Sequence, residues 1–226
     1  RSVAGGGNKA VAVGDAGKVV VTTDGAAWLQ VDVGTTVGLR SVIWDGHQFV
    51  VVGESGTLLE SPDAQTWTKG QIFTQAGLVK VQLAGNRLFA LDDDGVIWRK
   101  NDTAVWVKSS PASAIFKMLS GSIDSGLIAI DINSRLWKSS NGVEWVQPDY
   151  QAFTVASPVA SVLWTGRQWL VVEERGDAQS STDGVNWVGR AKGNGLLSLA
   201  AHDGIVVGVG SNGSIATTPE VVVSTS

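Results

Sequence analysis

The sequence predicts an all-β protein, a six-bladed β-propeller with four antiparallel strands per blade. Three observations sharing one frame carry that prediction. A tight-turn motif recurs six times: VGDAG (13–17), VGESG (52–56), LDDDG (91–95), IDINS (130–134), VEERG (172–176) and VGSNG (209–213). The second residues of these turns are spaced 39, 39, 39, 42 and 37 apart. A Trp follows each of the first five at a constant offset, as Trp28, Trp67, Trp106, Trp145 and Trp187. A turn residue precedes each of the six, as Gly7, Gly46, Gly85, Asp124, Gly166 and Asp203. A repeat of about 40 residues holding four short strands is the signature of propeller blades. A sandwich has no need of identical turns at a fixed period.

The second repeat shows how each element is read. LRSVIW (39–44) is the innermost strand, FVVV (49–52) the second, TLLES (57–61) the third and TWTK (66–69) the outermost. Second strands are apolar throughout, as AVAV, FVVV, LFAL, LIAI, WLVV and VVGV, so both of their faces must be covered, which radial stacking of sheets provides. Gly, Asp and Asn gather between these runs, as hairpins require. The reading is one propeller domain over residues 1–226, with blades at about 1–31, 37–70, 77–109, 114–148, 157–190 and 195–226. Each blade is made of consecutive sequence, so the junction of the first and last is expected to be the least stable.

Composition narrows the function classes. Lys and Arg total 17 against 21 Asp and Glu, with a net charge of −4 and no basic run, which argues against nucleic-acid partners. No stretch of about 18 apolar residues exists, so no membrane insertion is expected. There is no Cys and hence no disulfide or thiolate metal site. The chain opens on RSVAGGG, neither a starting Met nor a signal peptide, and is read as a segment of a longer, exported protein.

The heptads TTDGAAW, SPDAQTW, KNDTAVW, SSNGVEW and STDGVNW end at the five repeated Trp residues. They resemble the Asp-box, or BNR repeat, S-x-D-x-G-x-T-W. They are closer still to the shortened S-x-D-G-x-x-W form of bacterial propellers such as photosystem II stability and assembly factors. Lys100 replaces the hydroxyl in the third copy, Asn141 replaces Asp in the fourth, and the sixth keeps Thr218 and Glu220 but has Ser224 in place of Trp. Physically, Asp24, Asp63, Asp102, Asn141 and Asp183 sit at the turn between third and fourth strands, where a short side chain accepts backbone N–H bonds. Each Trp then covers the outer edge of its blade. A feature built into every blade is a fold determinant, since an active site is normally built once.

Candidate contacts lie elsewhere. The hairpins between second and third strands carry Asp15, Glu54, Asp92, Asp93, Asp94, Asp131, Glu173 and Glu174, read either as solvated turns, which favour Asp on local grounds, or as an acidic rim for basic peptides or cations. The alternating spacing of a calcium loop is missing, and no metal or cofactor is assigned. The second position of the innermost strands is Ser2, Ser41, Lys80, Lys117, Ser161 and Ser198, polar in all six blades as a wet central channel would require. Lys80 and Lys117 would there hold an anionic group, or else reach outward from a water-filled pore. The longest inter-blade loop, 147–158, carries Tyr150 and Phe153, read equally as candidate partner contacts or as caps on the core beneath them.

The Asp-box resemblance raises a sialidase-like glycosidase, but such enzymes need an arginine cluster and a Tyr/Glu pair. Here the arginines do not cluster, the single Tyr is in an irregular loop, and no carboxylate pair stands apart from the repeated turns. His47 and His202 are isolated. The assembly-factor resemblance implies an arginine-rich partner patch, whereas the matching face here is acidic. The expected function is a non-catalytic scaffold for a protein partner; the alternative is a glycan-binding, lectin-like propeller.

Overall fold

Runs of β-branched and aliphatic residues between Gly and Asp turns form six antiparallel sheets, each made from consecutive strands. In this computed structural model, residues 1–122, 125–148, 153–191, 196–202 and 205–219 are described. Blade 1 holds β1 (Ser2–Gly6), β2 (Lys9–Val13), β3 (Val19–Thr22) and β4 (Leu29–Val31). Blade 2 holds β5 (Leu39–Trp44), β6 (Phe49–Gly53), β7 (Leu58–Ser61) and β8 (Thr68–Lys69). Blade 3 holds β9 (Leu78–Ala84), β10 (Arg87–Asp92), β11 (Ile97–Lys100) and β12 (Trp106–Lys108). Blade 4 holds β13 (Phe116–Ser122), β14 (Gly126–Asp131) and β15 (Leu136–Ser139). Blade 5 holds β16 (Val159–Trp164), β17 (Trp169–Glu173), β18 (Ala178–Ser181) and β19 (Val188–Ala191), and blade 6 holds β20 (Leu196–His202), β21 (Ile205–Gly210) and β22 (Ile215–Pro219).

The protein is a six-bladed β-propeller with blades of three to four strands. The expectation of four strands everywhere is corrected in blade 4, whose fourth strand shrinks to one bridge between Lys138 and Val146. In blade 6 the expected closing strand falls on 220–226, outside the described residues. The chain divides into two compact units, Arg1–Phe116 and Lys117–Ser226.

Strand β6 shows why its sequence is apolar at every position. Phe49 and Val51 enter a core with Val11, Val13 and Val19 of blade 1. Val50 and Val52, pointing to the opposite face, enter a second core with Leu78, Val81 and Leu88 of blade 3. In the second unit Ile128 and Ile130 of β14 share a core with Val159, Val162, Trp169 and Val171 of blade 5. Val3 on β1 and Ile205 and Val209 on β21 are exposed.

Gly53 closes β6, at the position where β10 and β14 end in Asp92 and Asp131. A Cβ there would lie 2.4 Å from the Gly38 carbonyl oxygen and 3.0 Å from Leu39 Cα, both backbone atoms that cannot swing away. Gly53→Asp, which copies the neighbouring repeats, is therefore expected to destabilise the protein by about 1–3 kcal/mol. An unfolding midpoint in urea equal to that of the parent chain would refute this.

The turns between third and fourth strands are built as the repeated heptad suggests. Asp63 Oδ1 accepts the N–H groups of Gln65 and Thr66 at 2.8 and 2.7 Å and the Ser61 hydroxyl at 3.0 Å. Asp24 and Asp183 repeat the pattern, and Asn141 reproduces it with an amide oxygen, accepting from Val143 and Glu144. The third copy departs from it. There Asn101 accepts from the N–H groups of Thr103 and Val105, while Asp102 is exposed and pairs with Arg87. Lys100 has no hydroxyl to bond a carboxylate two residues on, and its ammonium instead reaches Glu60 at 2.8 Å. The repeated Trp side chains are unequal covers: Trp106 is buried, Trp67, Trp145 and Trp187 are half-buried, and Trp28 is exposed.

The accepted N–H groups hold these carboxylates in their charged form. Asp24 is lowered by the amides of Ala27 and Ala26, and Asp63 falls to about 2 through those of Thr66 and Gln65. At Asp183 burial works upward, but the amides of Asn186 and Val185 outweigh it and the group lies well below its usual range. A carboxylate with a depressed folded pKa stabilises the fold above its unfolded value and loses that contribution as pH falls through the folded pKa. For Asp63 the loss runs from the ordinary 3.8 down to about 2. Asp63→Asn, which copies Asn141, is expected to keep the fold at neutral pH and to soften the fall in melting temperature across that window. Melting curves at pH 7, 4 and 3 check it, and an unchanged acid slope would count against it.

Candidate functional site

Hairpins between second and third strands lie at the end of each blade where the innermost strand begins, because Leu39 pairs with Gly53, Leu78 with Asp92 and Val159 with Glu173. The linkers between blades therefore arrive beside these hairpins. Sequence reasoning made this face an acidic rim. The structure corrects it, because three of those acids are interior.

Asp92 is buried and accepts the Trp98 indole N–H at 2.7 Å and the Val96 amide at 2.8 Å. Asp131, wholly buried, takes the Trp137 indole at 3.2 Å, the amides of Asn133 and Arg135 at 2.9 Å, and the Arg135 guanidinium at 2.6 Å. Glu173 is buried too and accepts the amides of Ala156 and Ser157 at 2.8 and 2.7 Å, with Gln179 Nε2 at 3.3 Å. Trp98, Trp137 and Gln179 each stand six residues after their acid. A buried carboxylate needs such donors, since an unpaired one is costly.

Glu54 and Asp93 are also committed, bonding the amides of Gly38 and Gly77 at the heads of their own innermost strands. Arg40 bridges the two acids at 3.5 and 3.3 Å. Asp94 and Glu174 remain exposed. Among the described residues no group of three His, Asp or Glu is placed to hold a metal ion.

On the innermost strands, the second-position serines do more than face solvent. Ser2 Oγ accepts the Val42 amide at 3.2 Å, and Ser41 Oγ the Val81 amide at 3.3 Å, each joining its strand to the next blade's. Lys80, on β9 of the first unit, is half-buried, and burial pushes its ammonium below its usual value. Lys117, on β13 of the second unit, reaches the Ser134 hydroxyl at 3.4 Å.

The long loop is the most distinctive surface. Tyr150 lies outside the described residues. Of the two readings of Phe153, the structure selects the core cap over the partner contact: it is 9% exposed and meets Trp187 edge-on, with ring centroids 5.0 Å apart. Its burial carries the following segment across blade 5, where the Thr154 carbonyl accepts Gln179 Nε2 at 2.6 Å. Two adjoining hollows flank this segment. One, of about 260 Å³, has Leu136, Pro148, Phe153 and Val155 on its apolar side and Asn133 and Arg135 at its polar side. The other, of about 320 Å³, is lined by Thr154, Ala156, Glu173, Asp177 and Gln179 among others. Sites for whole drug-sized ligands run to about 300–1,000 Å³; the first hollow falls below that range and the second lies at its foot, sizes that suit individual side chains of a larger partner. Leu136 and Pro148 were missed from sequence, although Pro148 breaks the repeat where Gly70 and Ser109 stand in blades 2 and 3.

Comparison with known proteins agrees with this architecture. YCF48 bound to D1 peptide superposes with a TM-score of 0.75 at 20% identity, covering 94% of this chain and 74% of that one. YCF48 from Cyanidioschyzon merolae gives 0.72 at 14% identity, covering 97% and 82%. The computationally designed Ika8 protein gives 0.70 at 14% identity, covering 96% and 69%. At such identities the likeness shows the fold alone. No curated protein matches the sequence. The DUF6242 beta-propeller domain profile matches residues 34–160, more than half of the chain, and the chain belongs to that family.

Proposed function

We propose that this propeller is a non-catalytic protein-interaction module that receives a peptide segment of a partner. The observation carrying this reading is the pair of hollows around 153–156, set on a framework whose hairpin acids are bonded to their own blades. Six of the acids first assigned to the rim, Asp15, Glu54, Asp92, Asp93, Asp131 and Glu173, have partners within the fold, which favours a structural over a catalytic use. The peptide held by YCF48, a protein of similar fold, is consistent with this reading.

The test is selection of a displayed random-peptide library on the purified chain, with a glycan array run in parallel. Enrichment of peptides with a shared pattern and a blank array would support the module. A saturable glycan with no peptide enrichment would replace it with the lectin-like alternative.

A further inference from the structure

The hollow of about 320 Å³ on blade 5 lies where this blade lacks a side chain that the others carry. Two residues after the repeated Trp stand Gln30, Lys69, Lys108 and Gln147 in blades 1 to 4, and Gly189 in blade 5. Blade 3 shows what the longer side chain does. Lys108 pairs across the strands with Trp98 and holds its ammonium 5.7 Å from the centre of that ring, whose indole N–H is bonded to the buried Asp92. In blade 5 the same three places are taken by Glu173, Gln179 and Gly189, with Gln179 paired to Gly189. A Cβ built on Gly189 would meet nothing within 4 Å beyond its own chain neighbours, and every residue lining the hollow is among those described.

The walls of the hollow are polar and lack a cation. Gln179 Nε2 donates to the Thr154 carbonyl at 2.6 Å and to Glu173 at 3.3 Å, which fixes the amide with its oxygen turned from both acceptors. No described residue donates to that oxygen. Glu173, behind it, is 2% exposed, and its other donors are the amides of Ala156 and Ser157 and the Ser157 hydroxyl, all uncharged. Asp131 has the Arg135 guanidinium and Asp92 has Lys108 above its indole, whereas no described basic group pairs with Glu173. A buried carboxylate so placed favours a positive charge nearby. Asp177 adds a second carboxylate, and the lining holds no Lys, Arg or His. Arg190, beside Gly189, is engaged with the Ser180 hydroxyl at 2.6 Å.

We propose that the hollow at Gly189 takes the side chain of a lysine from a partner's peptide segment, laid where Lys108 lies in blade 3. This rests on the protein-interaction reading and names the residue that the site selects. The alkyl stem fills the space over Gly189 beside Val155 and Ala178. The ammonium donates to Gln179 Oε1, with Asp177 and Glu173 supplying the opposite charge. A single amide oxygen suits the point charge of lysine, whereas the planar fork of arginine calls for a bidentate acceptor. Gly189 is not among the residues of positive φ, so its backbone does not require glycine. Its effect is to leave the place open to another chain.

The experiment uses peptides selected from a displayed random library on the full chain, with the variants G189K and G189Q beside it. G189K supplies the lysine from within, as in blade 3, and G189Q fills the hollow without charge, as Gln30 and Gln147 stand in blades 1 and 4. Near-UV circular dichroism confirms that both variants are folded. The expected result is that selected peptides share a lysine, that its replacement by norleucine weakens binding to the parent chain at least tenfold, and that both variants weaken binding as much. G189K should also melt at a higher temperature than G189Q, a difference that E173Q removes. Peptides without a shared lysine, or peptides that bind both variants as well as the parent chain, would overturn this site while leaving peptide recognition intact. A G189K variant that melts below G189Q would show that the hollow does not suit an alkylammonium group and would overturn it too. Failure to select any peptide would overturn both the site and the interaction reading.

Discussion

Asp131→Ala is expected to cost about 3 kcal/mol of unfolding free energy, the lower end of the range for breaking a buried charged pair. One wholly buried carboxylate accepts four donors: two turn amides, the Trp137 indole and the Arg135 guanidinium. Removing it strands the indole N–H in the interior, where a donor without an acceptor costs about 1–3 kcal/mol, and unties the turn that ends β14. Arg135 keeps part of its surface in water and recovers some of its loss by hydration, which holds the total near the low end. Asp131→Asn, which keeps one acceptor oxygen, should lose less. Urea unfolding followed by tryptophan fluorescence measures both, and an Ala variant within about 1 kcal/mol of the parent would show that this network is not structural.

Trp169→Ala should be at least as damaging, at about 3–5 kcal/mol. Trp169 begins β17, is fully buried, and lies 5.1 Å from Trp164 in a tilted ring pair. It shares its core with Ile128, Ile130 and Val171, so truncation opens a cavity between two sheets whose backbones are fixed by their own hydrogen bonds. Unlike Trp98 and Trp137, its indole N–H finds no acceptor among the described residues. Trp169→Phe therefore removes bulk without stranding a partner, and should cost less than half as much as Ala. A Phe variant as unstable as the Ala variant would mean that the indole nitrogen has a role that the packing does not reveal.

These two sites show how unevenly the sequence can be read. The buried alternation of β6, the turn at every Asp24-like position and the count of six blades are local or periodic properties, and each is visible in a single repeat laid over the next. Asp131 is different. In sequence it is one of eight acids at hairpins, indistinguishable from Asp94, yet it is interior because its backbone ends β14 with the side chain turned toward Trp137. The same holds for Phe153, whose place in a long loop fitted display and core cap alike and whose contact with Trp187 puts it in the core. The shift from Asp102 to Asn101 followed from Lys100, a departure plain in the sequence whose consequence required the turn geometry.

By itself, then, the sequence determined the architecture: period, strand order, turn chemistry and the alternation that buries both faces of each second strand. These follow from interactions between residues close in the chain, repeated until the pattern is unmistakable. Only the tertiary structure decided which polar residues are free. Whether a carboxylate meets solvent or an indole, and whether a strand edge meets its fourth strand or Pro148, depends on groups brought together by blade packing and by linker paths. Charge on a face is a sum over sequence, but availability for a partner is what remains after the fold has taken its own hydrogen bonds.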